Sequence, residues 1–217
     1  MNSSKLFASA STLILGMATI TISLAFAAPP KDAKPAEQPQ IKLPPGWTEA
    51  DMQACILAAT PGKMQERLAQ DVGVWEGKCS IWMPPGGGEP MKTDCKLTVT
   101  SIMGGRYIKS EMAGEMPGGG AFAGFGLTGF DNVSRKFVSS MIDNQSTGIM
   151  TGTGELSPDG KILAWTYTYS CPVTQKPAVL RQIETNSDSN TKIIESIGAD
   201  PKSGKEFQMM RIELTRK

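Results

Sequence analysis

Four acidic residues, Asp131, Asp143, Glu155 and Glu195, are the first side chains whose chemistry has to be placed. Two carboxylates brought together inside a fold can share the work of general acid and base. The pairs Asp131-Asn132 and Asp143-Asn144 are turn formers, however, and point to local backbone capping. Sulfur is more plentiful, with 13 methionines. Thioethers suit copper(I), and Met112 with Met116, or Met209 with Met210, are the places to look. Adjacent residues of a strand face opposite ways, which sets Met209 apart from Met210, and methionine also fills gaps in cores. The glycine-rich stretches 86–88 and 118–120 lack the Lys-Ser/Thr and the helix that a phosphate cradle needs, so they read as loops. Trp165, Tyr167 and Tyr169 form an aromatic stripe that either lines a ligand cavity or faces a filled core.

What is missing limits function more sharply. The chain has no histidine, so it has no Ser-His-Asp or Cys-His machinery and no imidazole ligand for zinc or haem. No catalytic, cofactor-binding or metal-binding residue is assigned, and no cofactor is expected. Lys and Arg number 22 against 21 Asp and Glu, which supplies no basic footprint for nucleic acid.

At the start of the chain Lys5 precedes an apolar run from Leu13 through Phe26, and Ala25-Phe26-Ala27 is a small-x-small cleavage pattern. Residues 1–27 read as a signal peptide cut between Ala27 and Ala28, giving a periplasmic or secreted protein without stable membrane insertion. Residues 28–46, rich in Pro, Lys, Ala and Gln, read as a disordered linker. Residues 47–217 are left for one domain. Export makes Cys55, Cys79, Cys95 and Cys171 disulfide candidates, and none of them forms a Cys-x-x-Cys pair.

Thr48 and Asp51 make a capping box for a helix over about 49–59, with Met52, Cys55, Ile56 and Ala59 on one face, and a second short helix ends before Asp71. Beyond Asp71 the apolar period becomes two. About ten segments follow: 74–83, 92–102, 106–116, 121–131, 136–142, one ending near Leu156, 161–170, 178–186, 190–198 and 205–216. Short strands with tight turns predict an all-β, antiparallel up-and-down barrel, closed to remove exposed edges. If the first hairpin is symmetric about Gly87, Trp75 faces Val99, Gly77 faces Leu97 and Cys79 faces Cys95, which predicts a cross-strand disulfide. The pairing of Cys55 and Cys171 stays open. Arg216 shares strand parity with Met210, Ile212 and Leu214, and is expected to cover Trp75 at the closed end.

Gly73-Val74-Trp75 after a short helix is similar to the Gly-x-Trp start of lipocalin-type barrels. Together with Gly104-Gly105-Arg106-Tyr107, Gly129-Phe130-Asp131-Asn132, Met141-Ile142-Asp143, Gly152-Thr153-Gly154 and Met210 to Arg216, the chain resembles the exported family known as domain of unknown function 1579 over about residues 50–217. The resemblance implies a lipocalin-like barrel and no particular activity. The leading expectation is a non-enzymatic barrel that binds one small apolar molecule. An enzyme using carboxylates or Tyr in the cavity and an envelope interaction module are the alternatives, and oligomeric state is left open.

Overall fold

The computed structural model describes residues 43–84, 87–116 and 118–217. The cleavage site at Ala27 and Ala28 and most of the expected linker lie outside the described residues. Two short helices, α1 (Glu49–Ala59) and α2 (Lys63–Ala69), precede ten strands. These are β1 (Gly73–Ile81), β2 (Met91–Ile102), β3 (Tyr107–Glu115), β4 (Ala121–Asp131), β5 (Lys136–Asp143), β6 (Met150–Leu156), β7 (Ile162–Cys171), β8 (Lys176–Asn186), β9 (Thr191–Ala199) and β10 (Glu206–Arg216). Each strand pairs antiparallel with the next, and β10 returns to β1, so the sheet is a closed, lipocalin-like barrel. The alternation written in the sequence becomes an inside and an outside: Trp75, Cys79, Leu97, Val99, Leu163, Trp165, Ile212 and Leu214 are buried, while their neighbours face outward.

The helices sit at the end where β1 begins and β10 finishes. Thr48 Oγ1 accepts from the Asp51 amide and Asp51 Oδ2 accepts from the Thr48 amide, which completes the capping box of α1. The apolar face of α1 is not buried. The helix is held instead by its last turn, where Asn132 Nδ2 donates to the carbonyls of Leu57, Ala58 and Thr60, and Arg106 Nε donates to that of Ala59. Helix α2 buries Gln65 and Leu68. Gln65 accepts from the Gly62 amide and donates to Phe130 O and Asn132 Oδ1, fastening α2 to the end of β4.

The first and last strands meet in a clamp. Trp75 is buried, and its Nε1 donates to Asp71 O at 3.0 Å. The Arg216 guanidinium lies over the Trp75 ring, 4.1 Å from its centroid. Its nitrogens donate to the carbonyls of Ser189 (2.9 Å), Gln70 (2.6 Å) and Val72. Gly73 has φ +148°, and a Cβ there would stand 2.6 Å from Arg216 Nη1, so a glycine is what admits the guanidinium.

The first hairpin departs from the symmetric reading. Gly73 pairs with Val99, Trp75 with Leu97, Gly77 with Cys95 and Cys79 with Thr93. The hairpin is therefore centred one residue earlier than Gly87, Cys79 and Cys95 are diagonal rather than opposed, and all four cysteines are free thiols. A slip of two residues keeps every side chain on its own face, so alternation satisfies either register and the long Pro/Gly connection decides.

Arg216→Ala removes the cation-π contact together with three charge-assisted hydrogen bonds at the barrel seam. A loss of about 2–3 kcal/mol is expected, against less than about 0.5 kcal/mol for Lys217→Ala on the surface. Urea unfolding followed by circular dichroism distinguishes the two; equal losses would contradict the clamp.

Candidate functional site

A barrel of ten strands is wider than side chains of ordinary size need fill, and this one encloses a cavity of about 480 Å³ running from Leu68 and Asp71 at the floor to Met83 and Met116 at the mouth. The space is shaped by a pairing of large residues with glycines. Trp165 and Tyr167 on β7 face Gly154 and Gly152 on β6. A Cβ at Gly154 would come within 2.7–2.9 Å of three indole carbons, and one at Gly152 would collide with the Tyr167 ring. The two rings therefore lie flat against the wall, stacked with centroids 5.5 Å apart and planes 24° from parallel. Phe137 meets Trp165 edge-on at 6.4 Å and Phe130 at 4.9 Å, which extends one aromatic wall toward the floor.

A column of polar groups runs beside this wall on β8 and β9. Ser196 Oγ donates to Gln182 Oε1 at 3.3 Å, and Gln182 Nε2 donates to Glu184 Oε1 at 3.0 Å. Lys192 Nζ lies 3.5 Å from Glu184 Oε2 and 3.0 Å from Asp71 Oδ1, and Arg67 reaches Asp71 at 3.3 Å. Lys192 and Asp71 are almost fully buried, with side chains 6% and 7% exposed. Each charge there has a partner, as burial demands. Burial raises the Tyr167 phenol, and the Glu184 carboxylate raises it further, so the ring presents a neutral hydroxyl. Trp165 Nε1 is buried without a hydrogen-bond partner among the described residues.

Of the aromatic stripe, Trp165 and Tyr167 line the cavity and Tyr169 does not. Tyr169 faces Ala178, and the pairing of β7 with β6 reaches only as far as Thr168. Trp75 and Arg216 are brought together at the floor. The four acidic residues are dispersed. Asp131 caps the Val133 amide, with the Ser134 hydroxyl and that amide holding its carboxyl below the usual range. Asp143 caps Gln145, Glu155 pairs with Lys136, and Glu195 pairs with Arg211. The methionines gather: Met112, Met116, Met209 and Met210 all line the cavity. Met209 and Met210 share it because the pairing of β10 with β9 shifts between Gln208 and Met210, and this bulge breaks the strict alternation. Gly198 makes room there, since a Cβ at that position would strike the Met209 thioether. Lys192, Ser196 and Gln182 carried one visible signal in the sequence, their parity with apolar neighbours such as Ile194; the glycines facing the aromatic rings carried none until the pairing was known.

A family model described as "Protein of unknown function (DUF1579)" matches residues 60–216. The chain belongs to the DUF1579 family. No curated protein matches it. Among solved structures, this DUF1579 protein is similar to Rv2717c from M. tuberculosis, with a TM-score of 0.54 at 13% identity over 73% of this chain and 99% of that one. It is also similar to the S-type phycobiliprotein lyase CPES from Guillardia theta, with a TM-score of 0.50 at 9% identity over 75% and 96%. At such identities the likeness is one of fold.

Gly154→Ala is expected to destabilise the domain by about 1–3 kcal/mol, because the indole has no space into which to retreat except the cavity. Gly148→Ala, whose Cβ would meet nothing within 4 Å, is the control and should change stability by less than about 0.5 kcal/mol. Matching denaturation midpoints for the two variants would refute the glycine–aromatic pairing.

Proposed function

We propose that this DUF1579 protein is a non-enzymatic binder that holds one small, largely apolar molecule inside its barrel. The observation that carries the reading is the cavity of about 480 Å³, which falls within the range of small-molecule pockets. Its lining has the expected division of labour. Trp165 and Tyr167 offer a flat face for stacking, methionines near the mouth adapt to irregular shapes, and Gln182, Ser196 and Tyr167 are polar points that orient a ligand. The polar column is internally satisfied, and the two carboxylates that meet in the cavity, Asp71 and Glu184, are both paired with Lys192, which favours binding over acid–base chemistry.

Export belongs to the same proposal, on the strength of the apolar run and the Ala25-Phe26-Ala27 pattern. The binder then works in the periplasm or outside the cell, free of the membrane once cleaved. Mature protein is expected to begin at Ala28 on N-terminal sequencing; recovery of intact Met1 from a membrane fraction would overturn that part.

Binding itself is tested by titrating the protein with the apolar fluorophore 1-anilinonaphthalene-8-sulfonate and following energy transfer from tryptophan. One saturable site per chain is expected. Leu180→Trp, which adds an indole to the cavity wall, should weaken it at least tenfold, whereas Val179→Trp on the outer face should leave it unchanged. Non-saturating binding, or equal effects of the two variants, would contradict an internal site.

A further inference from the structure

One group of residues in the barrel wall is not explained by an apolar ligand. Cys79 and Cys95 are both buried, both line the cavity, and stand as diagonal neighbours on the paired strands β1 and β2. Met112 and Met210 line the same cavity and pack against the core beside them. The register shows that these four sulfur residues form one arc. The direct partner of Met210 on β1 is Ile81, and Cys79 lies two residues from it toward the floor. The direct partner of Cys79 on β2 is Thr93, and Cys95 again lies two residues toward the floor. The direct partner of Cys95 on β3 is Gly114, and Met112 repeats the step.

Those steps offset the tilt of the strands. Direct partners followed from Trp75, at the floor end of β1, run through Leu97, Met112 and Gly124 to Asp143 at the mouth end of β5. Crossing the sheet along its hydrogen bonds therefore climbs the barrel. A two-residue descent at each crossing holds Met210, Cys79, Cys95 and Met112 at similar height on the inner wall. Neighbours on such a diagonal have Cα atoms about 7–8 Å apart with Cβ atoms closer, and methionine has three side-chain torsions with which to reach. Glycine keeps the arc open: Gly77 and Gly114 are the direct partners of Cys95 on either side, and a Cβ at Gly77 would stand 2.9 Å from Cys95 Sγ.

We propose that Cys79, Cys95, Met112 and Met210 bind a single soft monovalent cation, copper(I). The donor set selects it: thiolate and thioether sulfur prefer copper(I) to hard cations, and a chain without histidine offers no imidazole for zinc or copper(II). Among the described residues no group of three or more His, Cys, Asp or Glu is placed to hold a metal, so the two thiols need the methionine thioethers to complete a site. Binding is a ligand exchange without electron transfer. Each thiol that coordinates releases its proton to water, so one bound thiolate leaves the site neutral and two leave it with one net negative charge. Met116 and Met209 stand nearer the mouth and give an incoming ion further thioether contacts on its way in.

The test is anaerobic titration of the reduced protein with copper(I) in competition with bicinchoninate. One ion per chain is expected. Cys79→Ser and Cys95→Ser should each weaken binding about 100-fold, and Met112→Leu or Met210→Leu about tenfold, while Cys55→Ser and Cys171→Ser leave it unchanged. Two measurements on the unaltered protein keep the result independent of variant folding. Bound copper(I) should protect Cys79 and Cys95, and not Cys55, from alkylation by iodoacetamide, and X-ray absorption should show only sulfur in the first coordination shell. Alkylation of Cys79 and Cys95 at the rate of the metal-free protein, oxygen or nitrogen ligands, or full affinity in the Cys79→Ser/Cys95→Ser double variant would each overturn the proposal. None of these readouts depends on an apolar ligand being bound.

Discussion

The contact of Arg216 with Trp75 joins the last strand to the first, and the rest of the architecture follows from that join. A meander of ten strands has two free edges until β10 pairs with β1, and free edges are templates for aggregation. At the floor, where the two strands meet α2, the guanidinium also satisfies the carbonyls of Gln70, Val72 and Ser189. These three carbonyls come from the end of α2, the entry to β1 and the turn before β9, so one side chain ties three segments together. With the seam fixed, α2 can cover the floor with Leu68, and Asp71 is placed to receive Lys192. A closed wall and a sealed floor leave a chamber with its opening at the mouth.

How that chamber is divided depends on where glycine stands. Large residues on β7 are accommodated by small ones on β6, so that rings which would otherwise fill the centre lie along the wall. The same logic recurs with sulfur, where Gly198 admits Met209, and Gly77 and Gly114 flank Cys95. A barrel wall built from such pairs keeps its interior volume without leaving its own side chains unpacked. At the floor every member of the charged cluster of Arg67, Asp71, Glu184 and Lys192 has a partner. Above it the lining is mainly aromatic, aliphatic and thioether, with Asp94, Glu115 and Asp143 toward the mouth.

Much of this was legible in the sequence. The strands, their order and their inward faces follow from period-two alternation punctuated by Asp-Asn and Pro/Gly turns, and Thr48 with Asp51 marks the start of α1. What escaped reading escaped for definite reasons. The pairing of Cys79 with Thr93 differs from the symmetric expectation by a two-residue slip, which alternation cannot detect. Met209 looked outward by parity, but the bulge beside it turns it inward. Tyr169 shares the parity of Trp165 and Tyr167 yet lies beyond the pairing of β6, so parity alone did not say which rings meet the cavity. Lys192 shares strand parity with Ile194, and Glu184 reaches it across the β8–β9 hairpin, but its other partner, Asp71, comes from a distant part of the chain that only the folded barrel brings to it.

The central claim is that the chamber holds a small apolar molecule, and native mass spectrometry of protein purified from its own host tests it most directly. The expected result is a species heavier than the mature chain by the mass of one small organic molecule, released on unfolding and recovered in the organic phase. A single species at the mass of the chain alone, unchanged after incubation with an extract of host lipids and metabolites, would contradict it.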